Sequence, residues 1–359
     1  FNKKNSDTKL IVAMSGGVDS SVAAVLLKEE GYNVTGITLK LYNQVNRKHS
    51  KSCCAGQDIE DAKKVAEQFD FPHLVLDYQD RFFSGVIDDF VESYASGKTP
   101  IPCIKCNQTV KFTDLLNLAK EQKADALITG HYVRRIGGKK NAKMYKAIDT
   151  KKDQSYFLFA TTKEQLDFLR FPIGEYFKSE IREKAKQLSL TVQDKPDSQD
   201  ICFVTKDSYR TLIKKLKPES FVKGNILNIN KEIIGEHEGI VNYTIGQRKG
   251  IGIGGNKDPL YVVEINKTNN SIILGEKRYL EKTIVRIKNI NWFADNIDIK
   301  SLIRCSARIR SNQEEAPGTL KIHGNDATYI FDSKITSTSP GQACVFYLKD
   351  QVLGGGWII

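Results

Sequence analysis

Through the first two hundred residues, short apolar runs alternate with segments of helical spacing. The run Leu10-Ile11-Val12-Ala13-Met14 reads as a buried strand, and 20–30 carries apolar residues three and four apart until Gly31 ends the helix. Residues 33–42 alternate as a second strand. The spacing then predicts a helix over 59–69, a strand over 72–78 and a helix over 80–96, whose apolar face carries Phe82, Val86, Ile87 and Phe90. Pro100 and Pro102 are expected to hold the chain extended up to Cys103, with the next helix over 109–122 and a strand over 125–129 that ends in Gly130-His131-Tyr132. Such alternation predicts a parallel sheet with helices on both faces. The intervening stretch 43–57, polar and basic with His49, Cys53 and Cys54, reads as a mobile loop.

From about Arg134 the pattern changes. Residues 137–140 look like a hairpin tip, and helical segments follow at 163–169, 179–188 and 207–216. Between the last two lie a loop over 194–200 and the short apolar run Ile201-Cys202-Phe203-Val204. Beyond Phe221 nearly every segment alternates with period two, with turn signals at Asn230-Lys231, Asn269-Asn270 and Gly324-Asn325-Asp326. The expected division is an α/β unit over 1–216, a small β-rich unit over 217–279 and a C-terminal β-rich unit over 280–359.

The first strand runs into Ser15-Gly16-Gly17-Val18-Asp19-Ser20 and then into a helix. Unpaired amides of a first helical turn, together with the positive end of its dipole, make an anion site, and the two glycines let backbone approach a phosphate. No lysine lies between Lys9 and Lys28, so this is not the loop that reaches β and γ phosphates with a Lys-Ser or Lys-Thr pair. The arrangement resembles instead the PP-loop of ATP pyrophosphatases, which cleave ATP between the α and β phosphates. That resemblance implies that Ala13, Met14, Ser15, Gly16, Gly17, Val18, Asp19 and Ser20 hold the nucleotide, with Asp19 near a magnesium ion. Ligands of open α/β sheets bind beyond the carboxyl ends of the strands, so Leu39 and Gly130 are expected to border the same pocket, with adenine against backbone near Leu39.

Composition narrows the partners. With 54 basic against 43 acidic residues the chain carries +11, which favours a polyanion such as tRNA or DNA. No apolar run approaches the roughly 18 residues that span a bilayer, and the N-terminal stretch is not of signal-peptide type, so the expectation is a cytoplasmic protein without a membrane partner. Seven cysteines in a reducing compartment read as thiols for chemistry or metal, not as a disulfide framework.

Cys106 lies in Thr99-Pro100-Ile101-Pro102-Cys103-Ile104-Lys105-Cys106-Asn107, and Cys202 in Asp197-Ser198-Gln199-Asp200-Ile201-Cys202-Phe203. With the PP-loop, Gly130-His131-Tyr132, the segment from Lys152 to Leu158, Tyr243-Thr244-Ile245-Gly246-Gln247-Arg248-Lys249-Gly250 and the C-terminal Gly-Gly-Gly-Trp, these motifs occur in the order found in tRNA-specific 2-thiouridylases, and the chain resembles that family from about Lys9 onward. The resemblance implies an adenine nucleotide α-hydrolase-like α/β domain, a small central α+β segment and a C-terminal β-barrel. It implies ATP-dependent 2-thiolation of the wobble uridine: ATP adenylates a poor electrophile, the C2 carbonyl, and sulfur then displaces AMP. A residue matching Cys202 carries a persulfide received from a sulfur donor protein. The one matching Cys106 either releases sulfide or resolves the intermediate, and a disulfide between the two results. Because thiolate is the reacting form, a position just before the helix expected at 109 should lower the Cys106 pKa.

The resemblance also assigns contacts. Ile101, Pro102 and Cys103 would line the pocket of a flipped base. Lys152 would meet phosphate, and Asp153 and Gln154 belong to the same tRNA-contacting segment, with Gln154 bonding base or ribose. Arg310 and Ser311 match another contact, although the family more often has Tyr at the position of Ser311. Many members have Asp where Cys103 stands, and Cys103 makes a Cys-x-x-Cys pair with Cys106. Such a pair serves redox chemistry or ligates metal with a third ligand from Cys202, Cys53 or Cys54, so an iron–sulfur cluster is the less favoured alternative to a site without resident metal. Rival readings are an amide-forming PP-loop ligase, which gives no reason for Cys106 and Cys202, and a nucleic-acid-binding protein with a degenerate nucleotide site, against which intact Ser15, Asp19 and Ser20 weigh.

Overall fold

In the computed structural model the described residues are 1–42, 56–197, 201–204, 208–254, 258–294, 302–336 and 338–359. The loop expected over 43–57, with His49, Cys53 and Cys54, falls almost wholly outside them, as do 198–200 of the loop before Cys202. Among the described residues seven strands precede the central unit: β1 (Lys9–Ala13), β2 (Asn33–Lys40), β3 (His73–Asp77), β4 (Ala126–Thr129), β5 (Val133–Ile136), β6 (Lys143–Lys146) and β7 (Leu169–Arg170). Five of them form one parallel sheet in the order β3-β2-β1-β4-β7. The alternation of β1 explains its burial on both sides. Leu10 and Val12 pack among Val22, Ala23 and Ala24 of the helix Val18–Glu29, while Ile11 points to the opposite face among Ile104, Phe112 and Leu115. The expected parallel sheet with helices on both faces is therefore observed.

One expectation needs correction. The chain is not extended up to Cys103: a helix begins at Pro102 and runs to 121, α-helical over Pro102–Cys106, in wide π-turns over Asn107–Leu115 and α-helical again over Leu116–Glu121. Proline at the first helical position gives up an amide that would have no intrahelical partner and arrives with a helical φ, so Pro102 starts this helix where it was read as preventing one. The run Ile201-Cys202-Phe203-Val204 is a turn, closed by Val204 N–H donating to the Ile201 carbonyl at 3.0 Å.

The central unit has β8 (Gly224–Leu227), β9 (Ile233–His237), β10 (Tyr261–Asn266) and β11 (Ser271–Gly275) in the order β10-β11-β8-β9. Six strands follow: β12 (Glu281–Trp292), β13 (Leu302–Arg308), β14 (Ala316–His323), β15 (Asp326–Thr336), β16 (Ala343–Leu348) and β17 (Gln351–Ile358). They run antiparallel in the order β12-β15-β14-β13-β16-β17, and pairing of β12 with β17 closes them into a barrel around Leu320, Tyr329 and Phe346. The hairpin β5–β6 has its tip where expected but lies on the outside of this barrel, Tyr145 of β6 pairing with Gln351 of β17.

That graft ties the barrel to the α/β unit. Fully buried Tyr156 reaches across, its hydroxyl lying 3.1 Å from the Ala343 carbonyl and 3.3 Å from that of Ile309. Arg308 of β13 bonds the Asp153 carboxylate at 3.2 Å, and the Ser155 hydroxyl donates to that carboxylate at 2.7 Å. Tyr156→Phe should leave buried carbonyls short of a donor and lower stability by about 1–3 kcal/mol. Urea unfolding followed by near-ultraviolet dichroism measures this, and an unchanged midpoint would show that the hydroxyl does not hold the units together.

Candidate active site

The nucleotide loop is shaped by two close approaches. Gly16 sits at φ +70°, and a Cβ there would lie 2.2 Å from the Asp58 carbonyl oxygen, so no other residue fits. At Gly130 a Cβ would lie 2.7 Å from the Ser20 amide nitrogen: the close approach expected at this glycine is made to the start of the helix Val18–Glu29. The Ser20 hydroxyl accepts from the Ser15 amide at 3.1 Å and donates to the Gly17 carbonyl at 3.3 Å, which closes the loop on itself. No side chain caps the helix at Gly17, leaving its first amides available to an anion. Ala13 and Leu39 end neighbouring parallel strands beside this loop, and the Met14 amide extends their pairing to the Ile37 carbonyl at 2.8 Å.

Charges from far along the chain converge here. Lys178, at the first position of the helix Lys178–Gln187, donates to both carboxylate oxygens of Asp19 at 2.7 and 2.8 Å and lies 2.9 Å from Asp197. The Tyr132 hydroxyl donates to Asp19 at 2.7 Å. Asp197 also receives Lys152 at 2.7 Å and Arg182 at 2.8 Å. Two residues earlier, Lys195 donates to the Gly16 carbonyl and to Asp61, each at 2.8 Å, and to Asp58. Burial alone would raise the Asp197 pKa, but hydrogen bonds from Lys152 and Lys178 outweigh it and hold the carboxyl well below its usual range. Desolvation is likewise outweighed at Lys195, whose pKa is raised by Asp58 and Asp61. Lys178, Lys195, Asp58 and Asp61 drew no attention in the sequence, because scattered charges in a helix start and a polar loop carry no spacing signal.

The thiol segment ends beside the same sheet edge. Cys106 is buried at 7% exposure among Phe82, Val86, Phe90, Val110 and Ile213, and Ile201 and Phe203, the neighbours of Cys202, pack against that cluster. Phe203 meets Phe82 and Phe90 edge to face at 5.7 and 5.2 Å, and the Tyr42 hydroxyl donates to the Cys202 carbonyl at 2.7 Å. Leu39 packs against both this cluster and the neighbouring core of the sheet. Cys202 and Cys103 are exposed. The Cys106 pKa is not lowered as expected but raised: burial disfavours the thiolate more than Lys111 favours it, and Cys106 lies inside a helix and not ahead of its first turn.

The remaining expected contacts fall into two groups. Ile101 and Pro102 open the helix on which Cys103 and Cys106 stand, and the preceding Thr99 is pinned to the barrel, its amide on the Pro340 carbonyl at 2.8 Å and its carbonyl on the Gln342 side chain at 2.9 Å. Lys152 stands next to Asp197. Asp153 and Gln154 point inward: the Asp153 side chain is 1% exposed, and the Gln154 side-chain oxygen accepts from the Tyr132 amide at 2.8 Å. Arg310 donates to the Ile245 carbonyl at 3.4 Å and the Ser339 hydroxyl at 3.3 Å, with Ser311 exposed beside it. His131 bonds the Thr129 hydroxyl at 2.9 Å. Among the described residues no group of three or more His, Cys, Asp or Glu side chains is gathered to hold a metal ion.

A glycine loop and an uncapped helix start behind a strand of a parallel sheet define an α/β domain of the nucleotide-binding kind. Residues 8–206 match the family model described as tRNA methyl transferase HUP domain, 210–276 the tRNA methyl transferase PRC-barrel domain and 282–358 the aminomethyltransferase beta-barrel domain. The chain is 50% identical to the tRNA-specific 2-thiouridylase MnmA of Ehrlichia ruminantium (strain Welgevonden), over 99% of this chain and 96% of that one. It is 50% identical to the protein of the same name from Rickettsia prowazekii (strain Madrid E), over 97% and 98%, and 49% identical to that of Paracoccus denitrificans (strain Pd 1222), over 100% and 93%. The chain belongs to the tRNA-specific 2-thiouridylase family.

Two outcomes follow from this geometry. Iodoacetamide should label Cys202 and Cys103 before Cys106 in the free protein, with Cys106 labelling still rising above pH 9; peptide mass spectrometry reads the order, and early labelling of Cys106 would contradict its burial. A carboxyl with a depressed pKa contributes stability above its unfolded pKa, about 4, and loses it as pH falls toward the folded value. Asp197→Asn should therefore melt below the parent protein at pH 7, and the gap should narrow on acidification below about pH 4.

Proposed function

We propose that this chain is an ATP-dependent tRNA-uridine 2-sulfurtransferase acting on the wobble uridine of a subset of tRNAs. The observation that carries the proposal lies in 194–197 and 201–204: Lys195 bonds the Gly16 carbonyl of the nucleotide loop, Asp197 shares Lys178 with Asp19, and the residues on either side of Cys202 pack against the cluster holding Cys106. Nucleotide, activated base and two thiols then share one site.

The chemistry follows from electron balance. The C2 oxygen of uracil attacks the α-phosphorus of ATP and pyrophosphate leaves into the loop of Ser15 to Ser20, where helix amides meet its charge. The terminal sulfur of a Cys202 persulfide attacks C2, and AMP departs with the former C2 oxygen. Cys106 then attacks the Cys202 sulfur, breaking the sulfur–sulfur bond. The electron pair of that bond stays with the sulfur on C2, leaving 2-thiouridine and a Cys106–Cys202 disulfide for a cellular dithiol to reduce. In the alternative order Cys106 breaks the persulfide first and sulfide attacks C2; both orders end in the same disulfide. The persulfide comes from a cysteine desulfurase or sulfur-relay protein.

Magnesium would reach the site bound to the phosphates of ATP, which supply the oxygen ligands it prefers, and Asp19 is the loop carboxylate that would hold it; there it would supply charge neutralisation for the pyrophosphate. An iron–sulfur cluster has less support, since the described cysteines do not gather into a ligand set. Ile101, Pro102 and Cys103 would line the extruded base. Lys152 and Arg310 would lie along the tRNA, with Asp153 and Gln154 supporting their segment and Ser311 at its edge. The catalytic unit 1–216, the central unit 217–279 and the barrel 280–359 together would grip the anticodon arm. Among the described residues no helix is long and apolar enough to cross a membrane, and the proposed site of action is the cytoplasm.

The test is nucleoside analysis of tRNA incubated with the protein, ATP and a persulfide donor. It should yield 2-thiouridine, AMP and pyrophosphate. Cys202→Ala and Cys106→Ala should each lower thiolation at least a hundredfold while ATP affinity stays within about twofold, since the loop 15–20 holds phosphate with its own amides and hydroxyls. Undiminished thiolation in either variant removes that thiol from the reaction.

A further inference from the structure

The helix Tyr209–Leu216 has two unlike faces. One buries Ile213 completely, and Tyr209 and Leu212 partly, in the cluster that contains Cys106. The other carries Arg210, Thr211, Lys214 and Lys215, which with Phe221 line an open cavity of about 360 Å³. Lys214 and Lys215 are exposed and form no ion pair with any described residue, whereas the next cation, Lys217, pairs with Glu92. Arg210 is held in place: it donates to the Asn242 carbonyl at 2.8 Å and lies over the Tyr209 ring, which stacks on Tyr94 at 4.4 Å. Its Nε is buried without a hydrogen-bond partner. Arg210 and Lys214 are one helical turn apart, as are Thr211 and Lys215, so the cations share one helix face and line the cavity together with Phe221.

We propose that this cavity seats a backbone phosphate of the substrate RNA a few nucleotides from the target uridine, with Lys214 and Lys215 neutralising the phosphate and the Phe221 ring against the adjoining sugar or base. The inference deepens the proposed tRNA thiolation and rests on it. Three cations beside an aromatic face match a single-stranded nucleotide, whose phosphate and ring ask for those two surfaces at once. A helix is about 10 Å across, so a strand whose uridine reaches the thiols behind this helix passes its basic face. An acidic protein partner fits less well: stable protein interfaces cover about 800 Å² per partner, and this feature is a small concavity.

The full-length protein is assayed with unmodified wobble-uridine tRNA by fluorescence anisotropy at several salt concentrations, beside Lys214→Ala/Lys215→Ala and Lys214→Glu/Lys215→Glu. The alanine pair should weaken binding several-fold, the charge reversal by tenfold or more, and the slope of log affinity against log salt should fall by about one. With sulfide as sulfur source, kcat at saturating tRNA should stay within twofold, and the melting temperature should not move. Parental affinity and salt slope in the charge-reversed protein overturn the proposal. So does a raised KM for the persulfide donor with tRNA affinity unchanged, which would give the surface to that protein. Wild-type protein that binds and thiolates tRNA keeps the functional reading intact in both cases; wild-type protein that makes no 2-thiouridine sinks that reading and this one together.

Discussion

Everything at this site depends on two lysines that the nucleotide loop does not contain. Between Lys9 and Lys28 the loop has backbone amides and hydroxyls but no cation, and Lys178 and Lys195 come to it from 159 and 179 residues away. Both are mostly buried and hydrogen-bonded, the arrangement in which a charge is tolerated away from water. Removing one member of such a set strands its partners, at a cost of about 3–5 kcal/mol for a buried pair. The order of the loop is therefore coupled to the order of the segment 194–197. A nucleotide that adds negative charge near Asp19 and Gly16 would redistribute the same cations, and a change at the phosphates reaches the residues just ahead of Cys202 without any long-range rearrangement.

The C-terminal barrel serves the site from outside. It holds Thr99 through Pro340 and Gln342, three residues before the helix of Cys103 and Cys106 begins. It holds the segment of Lys152 through Arg308 and Asp153, and Ser155 is in turn fastened to Tyr347 at 3.1 Å. The central unit joins at Ile245, whose carbonyl accepts from both Arg310 and Ser339. The segments at Thr99 and Lys152 would be loose by themselves. Fastened to a closed barrel, whose strands leave no free edge, the same segments become a fixed frame.

How much of this was legible follows from the range of each signal. Strand and helix periodicity and the turn residues at Lys231, Asn270 and Gly324, all with positive φ, are local, and each stands where the sequence put it. The loop from Ser15 to Ser20 was legible because its glycines answer local steric demands. The helix at Pro102 was misread because proline signals a helix start as well as a break, and only packing against Ile11 and Phe157 decides which. The charge lattice around Asp197 and the attachment of β5–β6 to β17 are contacts across more than a hundred residues, and no spacing rule encodes them. The opposite pKa of Cys106 has the same origin: the sequence shows which residues precede a thiol, not which aromatic rings close over it.

Those rings bear on the proposed division of labour between the thiols. An exposed sulfur in a turn, as at Cys202, is open to a donor protein and can take up a persulfide. Cys106, behind Phe82 and Phe90 with its thiolate disfavoured, is the weaker nucleophile while the site is empty. Two equally exposed and ionised thiols would turn any persulfide at once into a disulfide and lose its sulfur. In the proposed chemistry a buried, protonated Cys106 would slow that step, since Phe82, Phe90 and Phe203 pack in the cluster around it. The apolar cluster thus joins the surroundings of Cys106 to the helix Tyr209–Leu216, whose buried Ile213 belongs to it and whose other face carries Arg210, Lys214 and Lys215.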